Sequence, residues 1–201
     1  MNKIIKITLS LVLSALFSYS VILCVSLAKM QNRFDSELYD NVVRLHILAN
    51  SDSDYDQNAK MVIKDSVAKY VTALTSNAKN AEEASEIIKN NLENIHDYVN
   101  YLCYDHGFDY TAKIEFSKEN YPVRYYDNFV FPAGKYQSLR IMLGESKGRN
   151  WWCVLYPSLC VKGDNDTQKV LADAGISEKT TEYITDEKYK IRFFLLDILG
   201  L

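Results

Sequence analysis

Gly144-Glu145-Ser146-Lys147-Gly148 has the spacing of a nucleophile elbow, where a serine held between two glycines attacks a carbonyl. That motif needs a strand entering, a helix leaving, and an acid and a histidine later in the chain. Here a strand pattern follows Ser146, and His46, His96 and His106 all precede it. The segment therefore reads as a glycine-bounded hairpin loop. Asp52, Asp54 and Asp56 imitate the start of a calcium loop, but Gln57 replaces the turn glycine and Ile63 the final bidentate glutamate. A capped, solvated helix start is the better reading. The three histidines fall on different elements, without the spacing of zinc ligands, so no metal is expected. No Walker loop or dinucleotide fingerprint occurs, and no cofactor is expected.

Cys153 and Cys160 flank Pro157. They could close a disulfide over a small loop, which an exported compartment allows, or stay as two buried thiols. Tyr121, Tyr125, Tyr126, Phe129, Phe131, Trp151 and Trp152 crowd the stretch from 121 to 152. Most aromatics of this kind belong to a sheet core. Adjacent Trp151 and Trp152 must nevertheless project to opposite sides of one strand, so one of them is a candidate anchor for a partner.

The elements that must position these residues follow from periodicity. Val42 to Ala49 alternates, with Val43, Leu45 and Ile47 on one face and Arg44 and His46 on the other, which predicts a strand. Asp54 is placed to cap a helix running to Leu74, with Gln57 completing the box. A second helix begins at Asn80 and carries Ile88, Leu92, Ile95, Val99 and Leu102 on one seam, ending at Gly107. Beyond it the period becomes two: strands are predicted around 112–116, 139–143 and 150–156, the last apolar on both faces and hence central. Phe131-Pro132-Ala133-Gly134 fits a type I turn. Residues 166–174 predict a short helix ended by Gly175, and Lys188 to Phe194 a strand followed by a closing helical turn. The fold class is α+β, with two long helices packed on a largely antiparallel sheet.

The chain start decides the compartment. After Lys3 and Lys6, Ile7 to Ala28 carries no charge. These residues span about 33 Å as a helix, enough to cross a bilayer. Ser26-Leu27-Ala28 also fits a cleavage site, so 1–28 is a signal peptide or a membrane anchor. Residues 29–41 read as a juxtamembrane stalk and 42–201 as a single exported domain. Residues 29–201 contain 21 basic against 26 acidic side chains, and this acidic balance disfavours nucleic acid as a partner.

From Arg44-Leu45-His46-Ile47-Leu48-Ala49-Asn50-Ser51-Asp52-Ser53 through Asp56-Gln57, and again at Phe131-Pro132-Ala133-Gly134-Lys135-Tyr136 and Leu139-Arg140-Ile141, the chain resembles stage II sporulation protein R. Gly148-Arg149-Asn150-Trp151-Trp152-Cys153-Val154 and Pro157-Ser158-Leu159-Cys160 extend the likeness, which covers roughly residues 3–160. Glu145-Ser146-Lys147 stands where that family has a glycine-rich loop. The resemblance implies a protein made in the forespore and exported into the space between the two forespore membranes. There it would trigger a membrane-embedded aspartic protease of the mother cell to process pro-sigma-E, the precursor of a sigma factor. The residues carrying the resemblance become the candidates for partner contact: Arg44, His46, Asn50, Ser51, Asp52, Asp56 and Gln57 in the first block. Phe131, Tyr136, Arg140, Asn150, Trp151 and Trp152 are those in the second. An envelope-associated binding module and a cell-wall-acting enzyme are the alternatives; the second lacks a nucleophile–base order or metal spacing.

Overall fold

The computed structural model of the chain describes residues 3–160 and 167–186. Helix α1, Lys3–Asn41, runs without a break for 39 residues. It is long and apolar enough to cross a membrane, and Leu11, Phe17 and Ile22 along it are exposed. Ser14, Ser18 and Ser26 donate their hydroxyls to carbonyls of the preceding turn, which satisfies them within the helix. The chain divides into two compact units, residues 1–36 and 37–201.

In the second unit, β1 (Val43–Leu48) is followed by α2 (Asp54–Leu74), α3 (Ala81–Asn90) and α4 (Leu92–Asp105). Strands β2 (Ala112–Tyr121), β3 (Arg124–Tyr125), β4 (Val130–Phe131), β5 (Gly134–Leu143) and β6 (Asn150–Tyr156) come next. Helices α5 (Thr167–Asp173) and α6 (Glu178–Thr185) follow. The main sheet has the order β2-β5-β1-β6; β1 is parallel to β5, and the other two pairings are antiparallel. Strands β3 and β4 form a separate antiparallel ribbon. The architecture is α+β with a mostly antiparallel sheet. Its core lies between sheet and helices, where Leu45, Ile47, Leu139 and Ile141 meet Ile63, Val67, Ile88, Ile95 and Val99, all fully buried.

Several boundaries differ from the sequence reading. Ser53, not Asp54, caps α2: its Oγ accepts the Asp56 N–H at 3.2 Å. Gln57 instead donates to the Ser51 carbonyl at 2.9 Å. The predicted second helix is two helices, broken at Asn91, whose backbone leaves the helical region and whose side chain donates to the Ile87 carbonyl at 2.8 Å. The Asn91 side chain competes for a backbone partner there, while the apolar seam continues on the buried side. Asn80 does cap α3, with Glu83 closing the reciprocal bond to the Lys79 N–H, and Gly107 ends α4 at φ +72°.

Strand β6 lies at an edge of the sheet among the described strands rather than in its centre. The segment 144–149 is not a hairpin, because β1 is inserted between β5 and β6. Glycines at both ends of that connection have a steric reason. A Cβ on Gly144 would collide with the Asn50 side chain, and one on Gly148 with the Ser51 backbone carbonyl. The Cys153 and Cys160 sulfurs are bonded, with their Cα atoms 5.7 Å apart. Helix α6 had no counterpart in the sequence pattern; its N-terminus is capped by Ser177 and by the Glu37 carboxylate, which accepts the Ser177 N–H at 2.7 Å. The strand and closing helix predicted from Lys188 onward lie outside the described residues.

Candidate partner-binding face

Alternation along β1 sends Leu45 and Ile47 into the helical core and Arg44 and His46 to the opposite side of the sheet. Charged and polar residues on such a face ordinarily meet solvent. Instead Arg44 has no exposure and His46 retains 3%. The cause is a second layer: Tyr126, Phe131 of β4 and the tyrosines of β2 and β5 cover Arg44, while Trp152 and Tyr121 lie against His46.

Arg44 shows how such a charge is tolerated. Its guanidinium carbon lies 4.4 Å from the Tyr121 ring centroid and 5.0 Å from those of Phe131 and Tyr136. Arg44 Nε donates to the Cys153 carbonyl at 3.0 Å, and Nη2 to the Tyr126 hydroxyl at 2.7 Å. Aromatic faces carry partial negative charge and stabilise a desolvated cation without a carboxylate. Burial pushes the Tyr126 phenol up, against the pull of the Arg44 charge. Phe131 and Tyr136 are thus walls of the Arg44 cage, and Tyr136 is fixed by donating to the Pro132 carbonyl at 2.8 Å.

His46 sits one step further along. Its Nδ1 lies 2.7 Å from Glu119 Oε1, and its ring stacks on Trp152 with centroids 3.6 Å apart and planes 12° from parallel. Glu119 also accepts from Ser138 Oγ at 3.0 Å and has Arg140 Nε at 3.8 Å. Burial alone would raise the Glu119 carboxyl; His46, Ser138 and Arg140 together outweigh it and hold the group below the usual carboxylate range. Trp152 packs edge-on against Tyr121 at 4.6 Å, and the Arg124 guanidinium lies 5.0 Å from its ring centroid. Trp152 is half-buried, Arg140 partly exposed, and Tyr125 beside Arg124 is 45% exposed. An aromatic and basic rim therefore stands on a hydrogen-bonded polar layer.

The Asn50–Gln57 candidates form a loop lock. Asn50 Oδ1 accepts the Glu145 N–H at 2.8 Å, while its amide donates to Asp56 at 3.0 Å. Asp52 accepts the Arg149 N–H at 2.7 Å, and Ser51 Oγ donates to Asp56 at 2.5 Å. Burial opposes ionisation of Asp56, but bonds from Ser51, Asn50 and Tyr110 lower its carboxyl overall. Gln57 accepts from Lys60 Nζ at 2.6 Å. These side chains are engaged with one another and with the 144–149 connection.

Trp151 and Trp152 do occupy opposite faces. Trp151 packs on the helical core with Lys64 Nζ 4.7 Å from its ring centroid, so neither tryptophan is wholly core or wholly exposed. Asn150, at the start of β6, is exposed. Among the described residues no three His, Cys, Asp or Glu side chains converge as metal ligands. Glu119, Ser138 and Arg124 complete the face and escaped the sequence reading. Glu119 lies 73 positions from His46, and only the alternation of β2 that places it with Tyr121 could have suggested it.

These features define a class: a small α+β domain that follows, in the chain, a helix of membrane-spanning length. The chain belongs to the stage II sporulation protein R family, whose model matches residues 39–166. It is similar to Stage II sporulation protein R of Bacillus subtilis (strain 168), 35% identical over 198 positions that cover 86% of this chain and 88% of the relative. No solved structure matches.

Proposed function

We propose that this chain is an exported signal of endospore formation. Its domain activates, by contact and without catalysis of its own, a membrane-embedded aspartic protease of the mother cell that processes pro-sigma-E. Membership of the sporulation family and the helix of membrane-spanning length support the setting. One observation carries the contact mechanism: His46, the histidine best placed for chemistry, is 3% exposed, bonded to Glu119 and covered by Trp152, beneath a rim that remains accessible. The groups capable of chemistry serve to hold a recognition surface.

The test is processing of pro-sigma-E in sporulating cells lacking the native protein and supplied with variants. Ser146→Ala should process normally, and Arg124→Ala with Tyr125→Ala should reduce processing while secretion and melting temperature stay near the parent values. Loss of processing in a stable Ser146→Ala protein would favour an enzyme. Normal processing in cells without the protein would overturn the signalling role and leave an envelope module.

A further inference from the structure

We propose that the outer face of α4 is a docking surface for a basic segment of a protein partner; the inference rests on the signalling role proposed above. Glu93, Asp97, Tyr101 and Asp105 recur every four residues, so they lie along one ridge of the helix. Tyr104 stands beside Tyr101 and Asp105. All five are exposed, Tyr101 by 56% and Tyr104 by 85%. The opposite side of the same helix, Ile95, Val99, Leu102 and Cys103, is the buried one.

This ridge is unfavourable for the helix that carries it. Glu93 is well placed near the positive N-terminal end, but Glu93 and Asp97 are like charges at four-residue spacing. Asp105 meets the partial negative charge of the C-terminus, and α4 has no basic residue in its last turn. No Lys or Arg occurs anywhere in Leu92–Asp105. Lys89, four residues before Glu93, lies instead 5.6 Å from the Phe116 ring centroid. Among the described residues Asp97 has only the adjacent His96 at 3.3 Å, and Asp105 the Tyr101 hydroxyl at 3.4 Å. Among the described residues, no Lys or Arg ion pair reaches any of the three carboxylates.

The ligand chemistry follows from these neighbours. Uncompensated carboxylates attract cations, and accessible tyrosine faces bind Lys or Arg by cation–π attraction at little entropic cost. Tyr55, 52% exposed and donating to the Gly107 carbonyl at 2.7 Å, prolongs the aromatic strip past the helix end. Anionic lipid headgroups would be repelled by this charge. A sugar stacking on the tyrosines would not require the acids.

Two full-length variants test the surface: Asp97→Lys with Asp105→Lys, and Tyr101→Ser with Tyr104→Ser. Glu82→Lys with Glu86→Lys on α3 makes the same charge change elsewhere. The α4 charge variant should lower pro-sigma-E processing about tenfold or more and melt at or slightly above the parent temperature. The tyrosine variant should lower processing with its melting temperature retained, and the α3 control should process normally. A second readout does not depend on signalling: titration of the detergent-solubilised protein with a 12-residue lysine–leucine amphipathic peptide. Binding should be salt-sensitive and weaken about tenfold in the α4 charge variant but not in the α3 control. Equal loss in the α3 control, undiminished processing and peptide binding in both α4 variants, or loss in the tyrosine variant alone would each overturn the inference. If cells lacking the protein process pro-sigma-E normally, the signalling role fails, and the peptide titration alone decides whether the ridge binds a basic segment.

Discussion

Replacing Arg44 is the most direct way to weigh the layer beneath the candidate face. Arg44→Ala empties the space between Tyr121, Phe131 and Tyr136 and removes the bonds to the Cys153 carbonyl and to the Tyr126 hydroxyl, which keeps its own bond to the Trp152 carbonyl. Truncating a large buried side chain costs about 3–5 kcal/mol when the cavity cannot collapse. The desolvation cost of the lost cation is recovered, which offsets part of this penalty. A net loss of about 3 kcal/mol remains, or roughly 6–12 °C in melting temperature for a domain of this size. Arg44→Met refills most of the volume and retains only the cost of the lost hydrogen bonds, about 1–3 kcal/mol. Arg44→Lys keeps a charge but cannot make two directed bonds from one planar group. Thermal melts followed by tryptophan fluorescence read both global stability and the surroundings of Trp152. The expected order is parent, then Met, then Ala, with Lys below the parent. An alanine variant within 1 kcal/mol of the parent, or a lysine variant equal to it, would refute the cage as a source of stability.

Acid should weaken the same layer: the folded-state carboxyl of Glu119 is depressed, so the folded protein binds fewer protons than the unfolded chain around that range. Its contribution is complete above the ordinary glutamate value near 4.5 and is lost as pH falls through the folded value, and Glu119→Gln should flatten that part of a stability–pH curve. Gly148→Ala should destabilise by about 2 kcal/mol or more, because the new methyl meets the Ser51 backbone, which cannot move aside. Gly107→Ala, at φ +72° in open space, should cost about 1 kcal/mol from backbone strain alone; denaturant melts giving equal losses for both would contradict the packing argument.

Patterns within one element were legible in the sequence because they arise from local geometry. The uncharged run after Lys6, the alternation of β1, the seam from Ile95 to Leu102 and the stops at Gly107 and Gly175 each depend on residues a few positions apart. The α+β class follows from their order. The tertiary structure alone decided what lies against the second face of the sheet. Alternation correctly put Arg44 and His46 opposite Leu45, but whether that side meets water depends on chain 70–90 residues away. There Glu119, Tyr121, Tyr126 and Phe131 fold over it. The same limit applies to Gly144-Glu145-Ser146-Lys147-Gly148. Its glycines suggested a tight turn, whereas they admit Asn50 and Ser51 from a loop nearly a hundred residues earlier. Local periodicity specifies which side a residue takes; only the packing of distant segments specifies what that side faces.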